Sequence, residues 1–256
     1  MMHLVIAYIK FLWKSKNEYS VHSPFVFDLL TQCLYNRTDF PDYELLEGYR
    51  RALLENRQTI EVTDFGAGSK VFKSNTRKVS AIAKNAGISP GRAMLLYRLS
   101  RYLKPANSLE IGTSLGLATA ALALGHPDGK VTTLEGCPQT AGIAQKQFEH
   151  FKLGNISCRI GEFMQTLNLP DQKFDLVYFD GNHQKQPTLD YFNLLLPTAH
   201  NDTVWIFDDI HWSTQMEEAW ESIKQSPNVR VTIDTFQWGL VFFRKEQPKQ
   251  DFVIRC

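Results

Sequence analysis

The stretch Ser108-Leu109-Glu110-Ile111-Gly112-Thr113-Ser114-Leu115-Gly116, with Leu117 to Gly125 (LATAALALG) after it, decides the fold. An apolar, strand-like run ends in a glycine turn, and a helical pattern starts at once. Glycines at such a junction let the backbone turn tightly and come close to a ligand. The next strand-like run, Val131 to Leu134, ends in Glu135, 25 positions after Glu110. That is about the length of one strand-helix-strand unit. A carboxylate at the end of a second strand can accept hydrogen bonds from both hydroxyls of a ribose.

Downstream the alternation continues: AGIAQKQFEHF, ISCRIG, FDLVYFDG, LDYFNLLLP, TVWIFDD and EEAWESIKQ, then two strand candidates, VRVTID and GLVFFRK. Strands alternating with helices predict a parallel sheet covered on both faces. The closing pair, joined by a short link, predicts an antiparallel hairpin at one edge. The expected class is α/β: a Rossmann-like, doubly wound, mostly parallel sheet of seven strands with an antiparallel last strand, over residues 101–256.

Residues 1–100 read as a mainly helical extension. Ser23-Pro24 suits the start of a helix from Phe25 to Leu34, and Tyr43 to Leu54 has apolar residues at helical spacing. Thr59 to Phe65 alternates like a short strand and runs into Gly66-Ala67-Gly68. Asp64-Phe65-Gly66-Ala67-Gly68 resembles a ligand loop but lacks the following strand with a terminal acid. It reads as a turn, or as a loop closing over a site. Arg77 to Ala86 and Pro90 to Leu103 read as two more helices. Val79 to Leu103, with Lys70, Lys73, Arg77, Lys78, Lys84 and Arg92 near it, resembles a helix-turn-helix, yet it equally fits a helical pair packed on a sheet.

The whole chain has 256 residues, 43% hydrophobic and 21% charged, with a net charge of +1. That gives no global electrostatic case for nucleic acid. Cys33, Cys137, Cys158 and Cys256 lack C-x-x-C spacing and read as free thiols of a reducing, cytoplasmic compartment. The apolar start, MMHLVIAYIKFLW, is far short of the roughly 20 residues of a membrane span, and it lacks the marks of a signal peptide. An amphipathic first helix is expected.

With these residues in view, positions from about 88 to 245 resemble class I S-adenosylmethionine-dependent methyltransferases, in particular the small-molecule O-methyltransferase branch. The lead-in ISPGRAMLLYRLSRYLKPANSLEIG is similar to the helix before the cofactor loop of that branch. The resemblance implies that Glu110, Gly112, Thr113, Ser114 and Gly116 line the methionine part of S-adenosylmethionine. Glu135 would hold the ribose, with Gly136 and Cys137 beside it. Gly161, Glu162 and Phe163 would contact adenine. A nicotinamide-binding protein is the rival, disfavoured because G-x-G-x-x-G is missing. An ordinary turn with no ligand is the plain alternative.

The fourth strand of that fold would end Tyr178-Phe179-Asp180-Gly181-Asn182-His183, and the fifth Ile206-Phe207-Asp208-Asp209-Ile210-His211. As neighbours they would bring Asp180, Asp208 and Asp209 together beside the methyl donor. Three carboxylates repel one another. A divalent cation resolves this, and oxygen ligands favour magnesium, calcium or manganese. Asp-x-x-His followed by Asp-Asp resembles metal-dependent sugar O-methyltransferases and is close to catechol-type enzymes. The resemblance implies Asp180, Asp208 and Asp209 as metal ligands, Asp180 also at the cofactor, and His183 as general base. Catechol-type enzymes have lysine where His183 stands and asparagine where Asp209 stands, so an aliphatic or sugar hydroxyl is the expected acceptor.

Simpler readings exist. Asp180 fits a strand-end cap, Asp208-Asp209 a cap for the helix beginning near Ser213, and His183 a packed loop histidine. His211 reads as pocket lining, and Trp212 and Trp238 as pocket walls or packing. In this family N-terminal helical segments form lids or homodimer contacts, and the acceptor is a small hydroxylated molecule. The other functional readings are a metal-independent methyltransferase of protein or nucleic acid, and a non-catalytic cofactor-binding partner.

Overall fold

The computed structural model describes residues 2–63, 74–167 and 172–255. The Asp64-to-Gly68 loop, Lys70 and Lys73 lie outside the described residues. The chain forms two compact units, residues 1–35 with 169–256, and residues 36–168.

The first unit opens with α1 (Met2–Lys14), which buries Ala7 and Phe11. Next comes α2 (Pro24–Leu29), extended by a π-turn through Leu30–Leu34. Ser23 caps α2 by accepting from the Val26 amide at 3.4 Å, and Pro24 occupies the first turn, where its missing N–H costs nothing.

The second unit begins with α3 (Asp42–Glu55), whose buried stripe is Tyr43, Leu46, Tyr49 and Leu53. Asp42 and Glu44 in its first turn suit the positive end of the helix dipole. A small antiparallel pair follows, β1 (Thr59–Glu61) with β2 (Thr76–Lys78); β2 had been read as part of a helix. Then come α4 (Val79–Asn85) and α5 (Pro90–Leu103), the latter capped by Ser89 on the Arg92 amide. The Tyr97 hydroxyl of α5 donates to Asp42 at 2.7 Å and ties α5 to α3. Burial first, and that bond second, push the Tyr97 phenol up to about 12. After them come β3 (Asn107–Ile111), α6 (Leu117–Gly125), β4 (Lys130–Glu135), α7 (Pro138–His150), β5 (Ile156–Ile160) and the short α8 (Phe163–Thr166). The strands β3, β4 and β5 pair in that order, all parallel.

The chain then returns to the first unit with β6 (Leu176–Phe179), α9 (Lys185–Leu195), β7 (Val204–Asp208), α10 (Thr214–Gln225), β8 (Val231–Asp234), β9 (Trp238–Phe242) and β10 (Gln250–Val253). In this unit the strand order is β10-β8-β9-β7-β6, with β9 antiparallel to both neighbours. Every residue of β6, β7 and β9 is buried, which is why they are continuous apolar runs rather than alternating ones. The class is α/β with mostly parallel pairing, as expected. One strand more than expected is present: β10 lies parallel against β8, so the β8–β9 hairpin is not the edge.

Candidate functional site

In the second unit, the turn after β3 bends the backbone three times within five residues: Gly112 has φ 103°, Ser114 φ 49° and Gly116 φ 80°. The amides of Gly112 and Thr113 both donate to the Leu134 carbonyl, at 2.9 and 3.0 Å, which fixes the turn to the end of β4. Glu135 is held from two sides. One carboxylate oxygen accepts from the Ser114 amide at 2.7 Å, the other from the Cys137 amide at 2.9 Å. The Glu135 carbonyl accepts from the Gly161 amide at 2.9 Å, so the loop after β5 is attached to the same strand end. Gly161 has φ 148°, Glu162 is exposed and Phe163 half-buried.

Glu110 is fully buried and accepts from Thr119 and, at 2.5 Å, from Thr133. The Thr133 and Thr113 hydroxyls lie 2.6 Å apart. Glu110 thus sits under the turn in a hydroxyl network that braces it. Behind the turn stands Tyr49 of α3, 1% exposed, whose hydroxyl donates to the Leu115 carbonyl at 2.9 Å. Burial first, and the Glu110 charge second, raise the Tyr49 phenol well above its usual range, so it stays protonated as a donor. A Cβ on Gly116 would meet the Tyr49 hydroxyl and the Phe148 ring at 2.5 Å. Sequence reading passed over Tyr49. Its only signal was a tyrosine on the buried stripe of a helix, where a hydroxyl needs a partner.

The first unit holds the acids. β6 and β7 are parallel neighbours with Phe179 opposite Phe207, so Asp180 and Asp208 come next on adjacent strands. His183 Nε2 lies 3.6 Å from Asp180 Oδ1, both side chains about a quarter exposed. Asn182, between them, has φ 53°. Its buried Oδ1 has no hydrogen-bond partner among the described residues. Asp208 is buried and accepts from the Asp209 amide at 2.8 Å; Asp209 itself has φ 52°. Neither Asp208 nor Asp209 caps α10, since Ser213 does so on the Met216 amide at 3.2 Å. Among the described residues, no group of three or more His, Cys, Asp or Glu side chains is arranged to hold a metal ion.

His211 is not pocket lining. Its two ring nitrogens lie 2.9 Å from Glu217 and 2.9 Å from Asp234, and its ring stacks on Phe236. Burial by itself would lower its pKa, but the hydrogen bonds and charges of Asp234 and then Glu217 outweigh it and raise the pKa. Trp238 is 1% exposed and packs edge-on against Tyr178, so it belongs to the core, while Trp212 is half-buried.

A glycine turn thus closes one parallel strand, β3, and an acid ends its neighbour, β4. Residues 109–210 match the family described as "Methyltransferase domain". A catechol O-methyltransferase from Niastella koreensis is 29% identical over 129 residues, 48% of this chain and 58% of that protein. The match thus spans little more than half the length of that relative. The fold is similar to an SAH-bound methyltransferase from Podospora anserina (TM-score 0.63, 15% identity, covering 88% of this chain and 97% of that one). It is also similar to an O-methyltransferase from Bacillus cereus in complex with SAH (TM-score 0.56, 20% identity, 85% and 100%).

Proposed function

We propose that this chain is an O-methyltransferase that takes the methyl group of S-adenosylmethionine to a hydroxyl of a small organic acceptor, sugar-like or aromatic. The observation that carries the reading is the Glu135 carboxylate, held by the Ser114 and Cys137 amides at the mouth of a turn with three left-handed residues. A carboxylate so oriented suits the two ribose hydroxyls. In this reading Gly112, Thr113, Ser114 and Gly116 line the methionine part, and Gly136 and Cys137 flank the ribose. Gly161, Glu162 and Phe163 border the adenine, and Asp180 also touches the cofactor. When bound, S-adenosylmethionine supplies an electrophilic methyl group on a sulfonium.

The chain's own residues then handle the proton. An alcohol oxygen forms the new bond to carbon as the carbon–sulfur bond breaks, and its proton passes to His183. Asp180, 3.6 Å from the imidazole, stabilises the positive charge that His183 gains. The unpartnered Oδ1 of Asn182 offers an acceptor for a second hydroxyl, which favours a polyol-like or catechol-like substrate over a simple alcohol. Asp180, Asp208 and Asp209 would be the oxygen ligands of a divalent cation, if one takes part, and it would help the acceptor hydroxyl lose its proton. Chelator challenge followed by magnesium decides whether these acids also work through a cation.

Calorimetry tests the cofactor half. Each lost hydrogen bond to a charged group costs roughly 1.5–3 kcal/mol, so Glu135→Ala should weaken S-adenosylmethionine binding at least about tenfold. Equal affinity in the variant sinks the assignment. Methyl transfer to a panel of hydroxylated metabolites, with and without chelator, tests the acceptor half.

A further inference from the structure

Helix α1 is apolar on two sides, and among the described residues one is covered and the other exposed. Ala7 and Phe11 face the first unit, where Tyr8 and Phe11 meet the Phe236 ring at 4.8 and 5.4 Å. On the other side Met2 is 78% exposed, Val5 54%, Ile6 47%, Ile9 51% and Trp13 90%. At 3.6 residues per turn, Met2, Ile6, Ile9 and Trp13 fall within an arc of about 60°, with Val5 beside it. This is a continuous stripe, not the scattered single exposures that any surface carries.

The charges around the stripe say what it faces. Exposed Lys10 and Lys14 border one flank, exposed Lys16 follows the helix, and α1 contains no Asp or Glu. Glu217 lies 3.8 Å from His3, at the opposite end of α1 from the lysines, and half-buried Glu18 follows Lys16. Trp13 and the 84%-exposed Tyr19 lie at the lysine end, side chains that favour a boundary between water and apolar medium. A second copy docked through this stripe would bring lysines together with no acid on α1 to match them. One face of a 13-residue helix also offers only on the order of 200–300 Å², against roughly 800 Å² per partner in a stable interface.

We propose that α1 is an interfacial helix that seats the chain on an anionic lipid surface, its stripe in the acyl boundary and its lysines against the headgroups. Among the described residues no helix is long and apolar enough to cross a membrane, so the contact lies in the plane of the surface. The proposal stands apart from the methyltransferase reading.

Flotation of the full chain with vesicles tests it. Association is expected with mixed phosphatidylcholine–phosphatidylglycerol vesicles, about tenfold less with phosphatidylcholine alone, and less again in high salt. Ile9→Glu with Trp13→Glu should abolish it, and Lys10→Glu with Lys14→Glu should remove the preference for anionic lipid. These exposed positions leave the fold in place, which near-ultraviolet circular dichroism checks. Should a variant unfold, the Trp13 emission shift on mixed vesicles, lost in Trp13→Phe, reads the same contact. No association of the wild type with mixed vesicles overturns the proposal. So does a dimer in sedimentation equilibrium that Ile9→Glu splits, which would give the stripe to a second copy.

Discussion

The turn of residues 112–116 and the strand ends at residues 180–183 are held in different ways. In the turn these polar groups have fixed partners: two amides on the Leu134 carbonyl, Ser114 and Cys137 amides on Glu135, the Tyr49 hydroxyl on the Leu115 carbonyl. At the strand ends Asp180 and His183 stand 3.6 Å apart, beside a buried Asn182 oxygen with no hydrogen-bond partner among the described residues. In the function proposed above, the first would be the preorganised cradle of an invariant cofactor, and the second would be completed by its substrate through the Asn182 oxygen and His183. Substitutions in the two regions should therefore fail differently, in binding and in turnover respectively.

The largest effect is expected at His183. His183→Ala should lower the rate of methyl transfer by about 10²–10⁴-fold while S-adenosylmethionine binds as in the wild type. Single-turnover rates beside calorimetry separate the two. A loss of cofactor affinity matching the loss of rate would erase the distinction between the regions.

Gly116→Ala is the next in size and should fail in binding. The left-handed backbone at φ 80° already disfavours alanine, and the new Cβ would stand 2.5 Å from Phe148 and the Tyr49 hydroxyl. Conformations of this kind cost of order 1–3 kcal/mol, so affinity should fall by roughly tenfold or more, with lower thermal stability. Wild-type affinity in Gly116→Ala would mean that the turn is not a cradle.

How far these regions could be read in advance follows from their chemistry. The turn after β3 was legible because glycine spacing and strand period are local signals, and the acid ending β4 lies one strand-helix unit away. The neighbouring of β6 and β7 followed from the alternation. Tyr49 was not legible, because its bond to Leu115 joins residues 66 positions apart. Nor was the engagement of His211 by Glu217 and Asp234, since Asp234 is contributed by another strand. β10 was missed because Gln250–Val253 is a short, half-exposed strand whose apolar part, Phe252 and Val253, is too brief a signal. β2, Thr-Arg-Lys, escaped for the same reason.

Tyr49→Phe should have a smaller effect. It keeps the ring against Phe148 and Phe151 and removes only the donor to the Leu115 carbonyl. A neutral hydrogen bond contributes about 0.5–1.5 kcal/mol net, so cofactor affinity should weaken by roughly two- to tenfold at unchanged maximal rate. A split between KM for cofactor and kcat marks Tyr49 as a positioning residue, because general destabilisation would lower both. A fall in kcat with unchanged KM would move Tyr49 out of the cradle's support.

The smallest effect is a pH dependence of the first unit, set by His211. Asp234 and Glu217 raise its folded-state pKa above the unfolded value, and His3 also approaches Glu217, at 3.8 Å. A raised histidine contributes stability that is fully present below its unfolded pKa, roughly 6.5, and is lost as pH rises through the folded pKa. The wild type should thus melt at a lower temperature above this window than below it. A loss of 1 kcal/mol corresponds to roughly 2–4 °C in a domain of comparable size, so a shift of a few degrees is expected. His211→Gln keeps a polar side chain but cannot gain the proton, and it should flatten this part of the profile. Cofactor binding at neutral pH should stay unchanged in that variant, since the cradle lies in the other unit. If the melting profile kept its full slope in His211→Gln, the titrating group would be another one.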